Sequence, residues 1–238
     1  MGMTIATMTW RSLSRGWRPL LLVALPLGGL ALALLLRVAS GGVDEVMADQ
    51  IVRDLATGVI VPLAALLVAV NGIGNEVDDS SVLHILATPT SRASILLQKM
   101  LVICGVSVLL GALTCGGMAL IMGSQETTSW LVAGAVSGLA YGAVFTALST
   151  WVKHAVIIGA LYLVLWEGML IGLAPRARFL SLHHGALAVA EKFRDTRAMV
   201  DLTDLSTIGG VMVLGIALVA GFLLAWWALS RMRLAKGS

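Results

Sequence analysis

Apolar residues along this chain are gathered into six long runs, which short polar stretches separate. A helix of about 20 residues, rising ~1.5 Å per residue, spans a hydrocarbon core of roughly 30 Å. We therefore expect an all-α integral membrane protein with six transmembrane helices. Their approximate bounds are 20–39, 55–73, 95–122, 130–151, 155–174 and 208–229.

The composition agrees with this pattern. Hydrophobic residues make up 58% of the chain and charged residues only 12%, whereas a soluble domain carries about 25% charged residues. The polar remainder is too fragmented for a second domain, so we expect one membrane domain over 1–238. The net charge of +3 is small, and basic residues cluster at helix ends. This distribution fits contact with anionic lipid headgroups and not with nucleic acid.

The residues before the first run have an amphipathic pattern. One helical face of the 3–18 segment carries Met3, Ala6, Trp10, Leu13 and Trp17, and the arginines Arg11, Arg15 and Arg18 lie on the other side. Such a helix tends to lie in the membrane interface. A plain positively charged flank is the alternative. The first run lacks a small-residue cleavage site, and we expect it to be retained as a helix.

Basic residues predict the orientation of the spans, because cytoplasmic ends carry an excess of Lys and Arg. The bias favours a multi-pass protein of the cell membrane with both termini cytoplasmic. The 175–207 segment weakens this bias, because it would lie on the outer side and yet contains five cations: Arg176, Arg178, Lys192, Arg194 and Arg197. Within this segment, six residues recur at the alternating spacing of four and three that is typical of one helical face: Leu182, Ala186, Val189, Phe193, Thr196 and Val200. That pattern predicts an outer amphipathic helix, lying on the surface or dipping into it, with a solvated loop as the alternative.

Small residues mark the fourth run as a packing surface. Gly134, Gly138 and Gly142 form two overlapping GxxxG units. Such spacing lets a second helix approach closely, although it identifies no particular partner.

The residues with chemical potential give little support to an enzyme. No GxxxxGK[ST] motif occurs, so this chain is not expected to hydrolyse ATP by that route, and no HExxH metal motif occurs. His183 and His184 are adjacent, which makes a poor chelate and favours a surface or interfacial role. Cys104 and Cys115 are about three helical turns apart, too far for a disulfide with each other.

Glu167 is the one acid well inside an apolar run. An ionisable group at membrane depth is a functional candidate, and we expect Glu167 to lie on a substrate path. Pairing with a base on a neighbouring helix and contact with the outer interface are the alternatives. Arg37 lies near the end of its run, where a long side chain snorkels to the interface.

The polar segment between the second and third runs predicts a short cytoplasmic helix. Asp78 or Asp79 can cap it. Val82, Leu83, Ile85 and Leu86 form one face, Ser80, His84 and Ala87 lie opposite, Pro89 ends it, and Arg92 with Lys99 anchors the next span. A structural connector without a partner is the alternative.

This segment resembles the cytoplasmic stretch of type 2 ABC exporter permeases. The likeness rests on Glu76, on Ile85-Leu86-Ala87-Thr88-Pro89-Thr90-Ser91-Arg92, and on Lys99. The family often has Gly-Thr where Ser80 and Ser81 stand here. Only 76–99 is motif-like, but the order of an interfacial helix, six spans and an outer segment covers nearly the whole chain.

The resemblance implies a transport subunit and not an enzyme. Its partners would be a separate ABC ATPase, holding the ATP and magnesium, and a second permease, identical or different; this chain would carry no cofactor. The coupling segment of 76–92 would contact the ATPase through Glu76, Asp78, Asp79, Ser80, His84 and Arg92. An ATP-independent carrier or channel, a membrane scaffold and a haem-exporter-like permease are the alternatives, and the substrate stays open.

Overall fold

The computed structural model describes residues 18–74, 92–170, 175–194 and 203–231, and all regular structure in those ranges is helical. We number seven helices within them. They are α1 (Arg18–Ala39), α2 (45–74), α3 (Arg92–Met122), α4 (Thr127–Trp151), α5 (155–170), α6 (Leu182–Ala190) and α7 (Thr207–Arg231). Short 3₁₀ turns, Pro175–Leu180 and Glu191–Phe193, flank α6.

Five of these helices are long and apolar enough to cross a membrane. The qualifying stretches are Leu22–Ala39, Glu45–Ile73, Leu96–Met122, Thr127–Trp151 and Thr207–Ala228. A shorter apolar helix covers Ala155–Met169. The chain is therefore an all-helical, multi-pass membrane protein.

The second helix begins about ten residues earlier than the apolar pattern predicts. The Oδ1 atom of Asp44 accepts a hydrogen bond from the backbone N–H of Glu45 at 3.0 Å, and Asp44 is the N-cap. An acid such as Glu45 is favourable in the first turn of a helix, so the polar residues before the predicted second span belong to the helix. This early start matters because it adds Asp49, Arg53 and Asp54 to α2.

Two helices contain long π-helical stretches. In α2 the α-helical Glu45–Ile51 continues as π-helix over Val52–Ile60, returns to α-helix over Val61–Ala69 and ends in a π-helical Val70–Gly74. In α5 the change occurs between Ala155–Tyr162 and the π-helical Leu163–Leu170. Such turns are rare and are often found at functional sites.

The glycines of α4 pack directly on α3. A methyl group built on Gly134 would lie 2.1 Å from the carbonyl oxygen of Gly111, and one on Gly138 would lie 2.2 Å from that of Ser107. Those separations are far below van der Waals contact, so the two backbones touch only because no Cβ is present. The GxxxG pattern thus has its partner within the same chain.

Large side chains fill the centre of the bundle. Tyr141 and Phe145 on α4 are fully buried, and their rings stack with centroids 5.7 Å apart. Tyr162 of α5 meets Phe145 edge-on at 6.3 Å. Leu182 belongs to the same buried cluster, which places the beginning of α6 beside the middle of α4.

The outer helix is more deeply buried than an amphipathic surface helix would be. Leu182, Gly185, Ala186, Leu187 and Ala188 are all buried, and only the polar side chains and Val189 are partly accessible. Gly210 of α7 allows this packing, because a Cβ there would lie only 2.7 Å from the carbonyl oxygen of Gly185. Of the pattern used to predict the helix, Phe193 is exposed and lies beyond its end.

Two predicted elements lie outside the described residues. They are the amino-terminal interfacial helix, apart from Arg18 at the start of α1, and the cytoplasmic segment as far as Ser91. Both stay predictions from the sequence.

Candidate functional site

Glu167 holds the beginning of α6 in place. Its Oε2 accepts a hydrogen bond from the hydroxyl of Ser181 at 2.5 Å, and its Oε1 accepts one from the backbone N–H of Leu182 at 3.0 Å. Free N–H groups and the positive end of the helix dipole make a helix N-terminus favourable for a carboxylate. Glu167 therefore links α5 to α6 through an anion–helix contact.

Ser181 is the N-cap of α6 and joins this contact to a histidine. Its Oγ accepts a hydrogen bond from the backbone N–H of His184 at 3.1 Å and lies 3.0 Å from His184 Nδ1. Ser, His and Glu are the members of some hydrolytic triads, but there the acid orients the histidine. Here Glu167 binds the serine, which is fully buried. The arrangement is a capped helix end and not a nucleophile site.

The two adjacent histidines lie at a cavity wall and not on an open surface. Both are half-buried, and their rings meet edge-on with centroids 5.2 Å apart. Burial, reinforced by the neighbouring His184, lowers the pKa of His183 to about 4. Burial and the charges of Arg178 and Arg53 lower the pKa of His184 to about 4 as well. Both rings are consequently neutral at pH 7.

A cavity of about 760 Å³ opens between α2, α5 and α6. The π-helical stretches of α2 and α5 supply two of its walls. Its polar lining consists of Arg53, Asp54, Glu167, Arg178, His183, His184, Thr203 and Asp204, and its apolar lining of Val59, Leu63, Ala160, Leu163, Val164, Met169 and Leu187. A volume of this order accommodates a drug-sized molecule. Glu167, predicted to lie on a substrate path, is thus part of a cavity wall.

Asp49 collects donors from three other elements. Its Oδ1 accepts hydrogen bonds from Ser124 Oγ at 2.7 Å and from the indole N–H of Trp130 at 2.9 Å. Its Oδ2 accepts one from Arg194 at 2.9 Å, and both charged side chains are mostly buried. Asp49 thereby ties α2 to the α3–α4 turn and to the chain following α6. We call this side of the molecule the Asp49 end.

Two contacts extend this end. Arg37, near the end of α1, donates to the carbonyl oxygen of Ile121 at the end of α3. Ser129 of α4 donates to the carbonyl oxygen of Ala190 at the end of α6 at 2.9 Å. Arg37 therefore binds a neighbouring helix end, where its position in the sequence suggested only snorkelling.

At the other end of α2, Lys99 connects the helices that flank the predicted coupling segment. Its side chain is 1% exposed, and its Nζ donates to the carbonyl oxygen of Gly72 at 3.4 Å. Lys99 lies seven residues inside α3, so it is a buried bridge and not an interfacial anchor.

The structure leaves most of the predicted ATPase contact unplaced. Five of its residues, Glu76, Asp78, Asp79, Ser80 and His84, lie outside the described ranges, and Arg92 is described only as the first residue of α3. Within the described ranges, no group of three His, Cys, Asp or Glu side chains could hold a metal ion.

Sequence reasoning overlooked Ser181 and Asp49. Ser181 carried a usable signal, because a serine directly before a helical pattern is a typical N-cap. Asp49 carried none, since its three donors lie 75, 81 and 145 positions away.

Comparison with known proteins identifies no relative: no protein-family model matches the chain, and no curated protein matches it.

Proposed function

We propose that this chain is the membrane-spanning permease subunit of an ATP-driven ABC exporter, with ATP hydrolysis on a separate chain. The observation that carries the proposal is the 76–99 segment, in which an acid, a Leu-x-x-Pro-x-Ser-Arg turn and Lys99 follow one another between two spans. The buried bridge from Lys99 to Gly72 supports it. Through that bridge, a force applied to the segment reaches both α2 and α3.

The proposal includes six spans, with α5 as the short fifth crossing. Asp49, near the start of α2, contacts Ser124 in the α3–α4 turn and Arg194 in the chain between α5 and α7. These parts of the chain therefore lie at the same end of the bundle. The α3–α4 turn and the chain after α5 can lie on the same side of a membrane only if both α4 and α5 cross it, so these contacts support a crossing by α5. By the distribution of Lys and Arg, the Asp49 end faces outward, and both termini are cytoplasmic.

The direct test is to isolate the tagged chain from its native membrane in mild detergent and identify what accompanies it by mass spectrometry. The exporter proposal requires a stoichiometric partner that carries a Walker A motif. A reproducibly intact complex without such a partner would overturn it and leave the carrier or the scaffold. The same preparation shows whether a second permease copy is present.

Charge reversal tests the predicted ATPase contact. In Glu76→Arg and Asp79→Arg, we expect the ATPase to be lost or its hydrolysis to become independent of transport, because acids at the start of the segment would meet a basic partner surface. Membrane insertion should be unchanged. Glu45→Arg, an exposed acid at the Asp49 end, is the matched control and should keep the partner. Normal coupled transport in both segment variants would contradict the contact.

A second candidate is an ATP-independent carrier. Carriers use intramembrane acids and interrupted helices that place helix ends at the binding site. Glu167 at the beginning of α6 is such an arrangement, although no internal repeat stands out in the sequence. A carrier would be distinguished by transport in vesicles that contain this chain without any ATPase.

A further inference from the structure

Among the described residues that line the cavity between α2, α5 and α6, both arginines are paired with acids, but one acid is not paired with a base. Arg53 pairs with Asp54 at 3.0 Å, and Arg178 pairs with Asp204. Both pairs contain partly accessible side chains, with Asp54 68% and Asp204 83% exposed. They therefore form a solvated polar rim in which each arginine already has a carboxylate partner.

Among the acids that line the cavity, Glu167 has no basic partner in the part of the chain that the structure describes. Among the described residues, its donors are the hydroxyls of Ser181 and Tyr141 and the backbone N–H groups of Leu182 and His183, none of which carries a formal charge. A cation that reaches this carboxylate would therefore be its first charged partner among the described residues.

The histidines do not compensate this acid. His183 and His184, whose pKa values burial lowers to about 4, are neutral at pH 7 and carry no positive charge toward the cavity. The buried Nδ1 of His183 has no hydrogen-bond partner among the described residues. A buried polar atom without a partner is unfavourable, and a ligand could satisfy it.

The opposite walls are apolar. The π-helical stretches contribute Val59 from α2 and Val164 and Met169 from α5, with exposed fractions of 46%, 61% and 53%. Accessible apolar surface beside an acid that has no cationic partner among the described residues is complementary to a molecule with an apolar body and one positive charge.

We propose that this cavity binds a cationic amphiphile: a protonated amine or similar cation at Glu167, with its apolar body against Val59, Val164 and Met169. The inference rests on the proposed function for its role, since it supplies the substrate class of the exporter. The binding itself requires no ATPase and can be tested on this chain alone.

The test uses the full chain in phosphatidylcholine nanodiscs and rhodamine 6G, a fluorescent cationic amphiphile, with empty nanodiscs subtracted. Fluorescence anisotropy should show saturable binding by the unmodified chain. Fluorescein, an anionic dye of similar ring system, should not bind. In Glu167→Gln the affinity for rhodamine 6G should fall about tenfold or more, because the side chain keeps its size and loses its charge.

Two further variants make the result independent of folding defects. Val59→Trp adds bulk to the α2 wall of the cavity while Glu167 and Ser181 keep their side chains, and it should also lower the affinity about tenfold. Glu45→Gln, the same chemical change at an exposed acid outside the cavity, should leave it unchanged. If Glu167→Gln does not give a monodisperse protein, the inference is tested by comparing the rhodamine 6G affinity of Val59→Trp with that of Glu45→Gln.

Equal rhodamine 6G affinity in the unmodified chain and Val59→Trp would overturn the inference, as would fluorescein binding equally well. The proposed function fails separately. If the native complex lacks an ATPase but the chain binds the cationic dye selectively, the exporter proposal fails and the cavity proposal stands. If an ATPase is present but the dye does not bind, the cavity proposal fails and the exporter proposal stands.

Discussion

Two buried carboxylates show how single residues organise this protein. Asp49 and Glu167 are both withdrawn from water, which is unfavourable for a charge unless donors replace the lost hydration. Asp49 has three donors, one of them the cation Arg194. Among the described residues, Glu167 has hydroxyl and backbone N–H donors but no cation. The difference separates their roles: Asp49 is a structural joint with a cationic partner, whereas the role proposed for Glu167 is to bind the cation of a ligand.

The histidine pair predicts a loss of stability on acidification. An unfolded histidine has a pKa of about 6.5, and burial lowers the pKa of folded His183 and His184 to about 4. Stability is therefore full above about pH 6.5 and decreases as the pH falls toward 4, because the unfolded chain then binds more protons. Between pH 7.5 and 5 we expect a loss on the order of 1–2 kcal/mol for these partly accessible groups. The thermal midpoint in detergent should fall accordingly.

Removal of the titrating rings checks the cause. Arg53, Asp54, Glu167, Arg178 and Asp204 surround the pair, and none of them is changed in the variants below. The double variant His183→Asn/His184→Asn should show a smaller fall between pH 7.5 and 5. His154→Asn is the control, because His154 is exposed and its positive φ of 63° suits asparagine. An unchanged fall in the double variant would exclude the histidines as its source.

At the scale of elements, glycine is what permits the closest helix contact in this bundle. Where α3 crosses α4, backbone carbonyls occupy the space in which Cβ atoms of Gly111, Gly134 and Gly138 would stand. Dispersion between the two backbones replaces side-chain interdigitation, as expected where lipid removes the hydrophobic gain between helices. By contrast, the cavity arises where α2 and α5 are π-helical and do not close on one another.

The crossing predicts unequal effects for two identical substitutions on α3. In Gly111→Ala the new methyl would lie 2.1 Å from the carbonyl oxygen of Gly134, so the helices must separate. We expect a loss of about 1–3 kcal/mol, as for other overpacked sites, and a lower thermal midpoint in detergent. Gly105→Ala meets no atom within 4 Å and should be neutral or stabilising, since alanine favours helix. Equal midpoints for the two variants would contradict this contact.

The sequence predicted the helical class and the approximate position of each apolar helix, because transmembrane length and apolarity are local properties. It misplaced the beginning of α2, where a single N-cap, Asp44, extends the helix through polar residues. It predicted a helix after residue 181 but not its burial, which depends on packing against α4 and α7. The cavity was unpredictable for the same reason: Arg53, Glu167 and His184 meet only in three dimensions.

For the whole molecule, the contacts at the Asp49 end fix which links share a side. Asp49 is reached by Ser124 from the α3–α4 turn and by Arg194 from the chain after α6. In the proposed exporter, the predicted ATPase contact would lie at one end of the bundle and the cavity nearer the other. An energy source at one end would then act on the cavity through α2, which contributes both Gly72 and Arg53.

Cysteine labelling of intact cells tests this topology. Cys104 and Cys115 are buried and free, and both are first replaced by alanine. Single cysteines at the exposed positions Glu45, Gln125 and Asp204 should react with a membrane-impermeant maleimide, and one at exposed Lys153 should react only after permeabilisation. The six-span proposal requires the first three to behave alike because an even number of crossings separates them. If only the cysteine at position 153 reacts in intact cells, the orientation is opposite to the proposed one, but the number of spans stands. Different behaviour of Glu45 and Asp204 would overturn the crossing by α5.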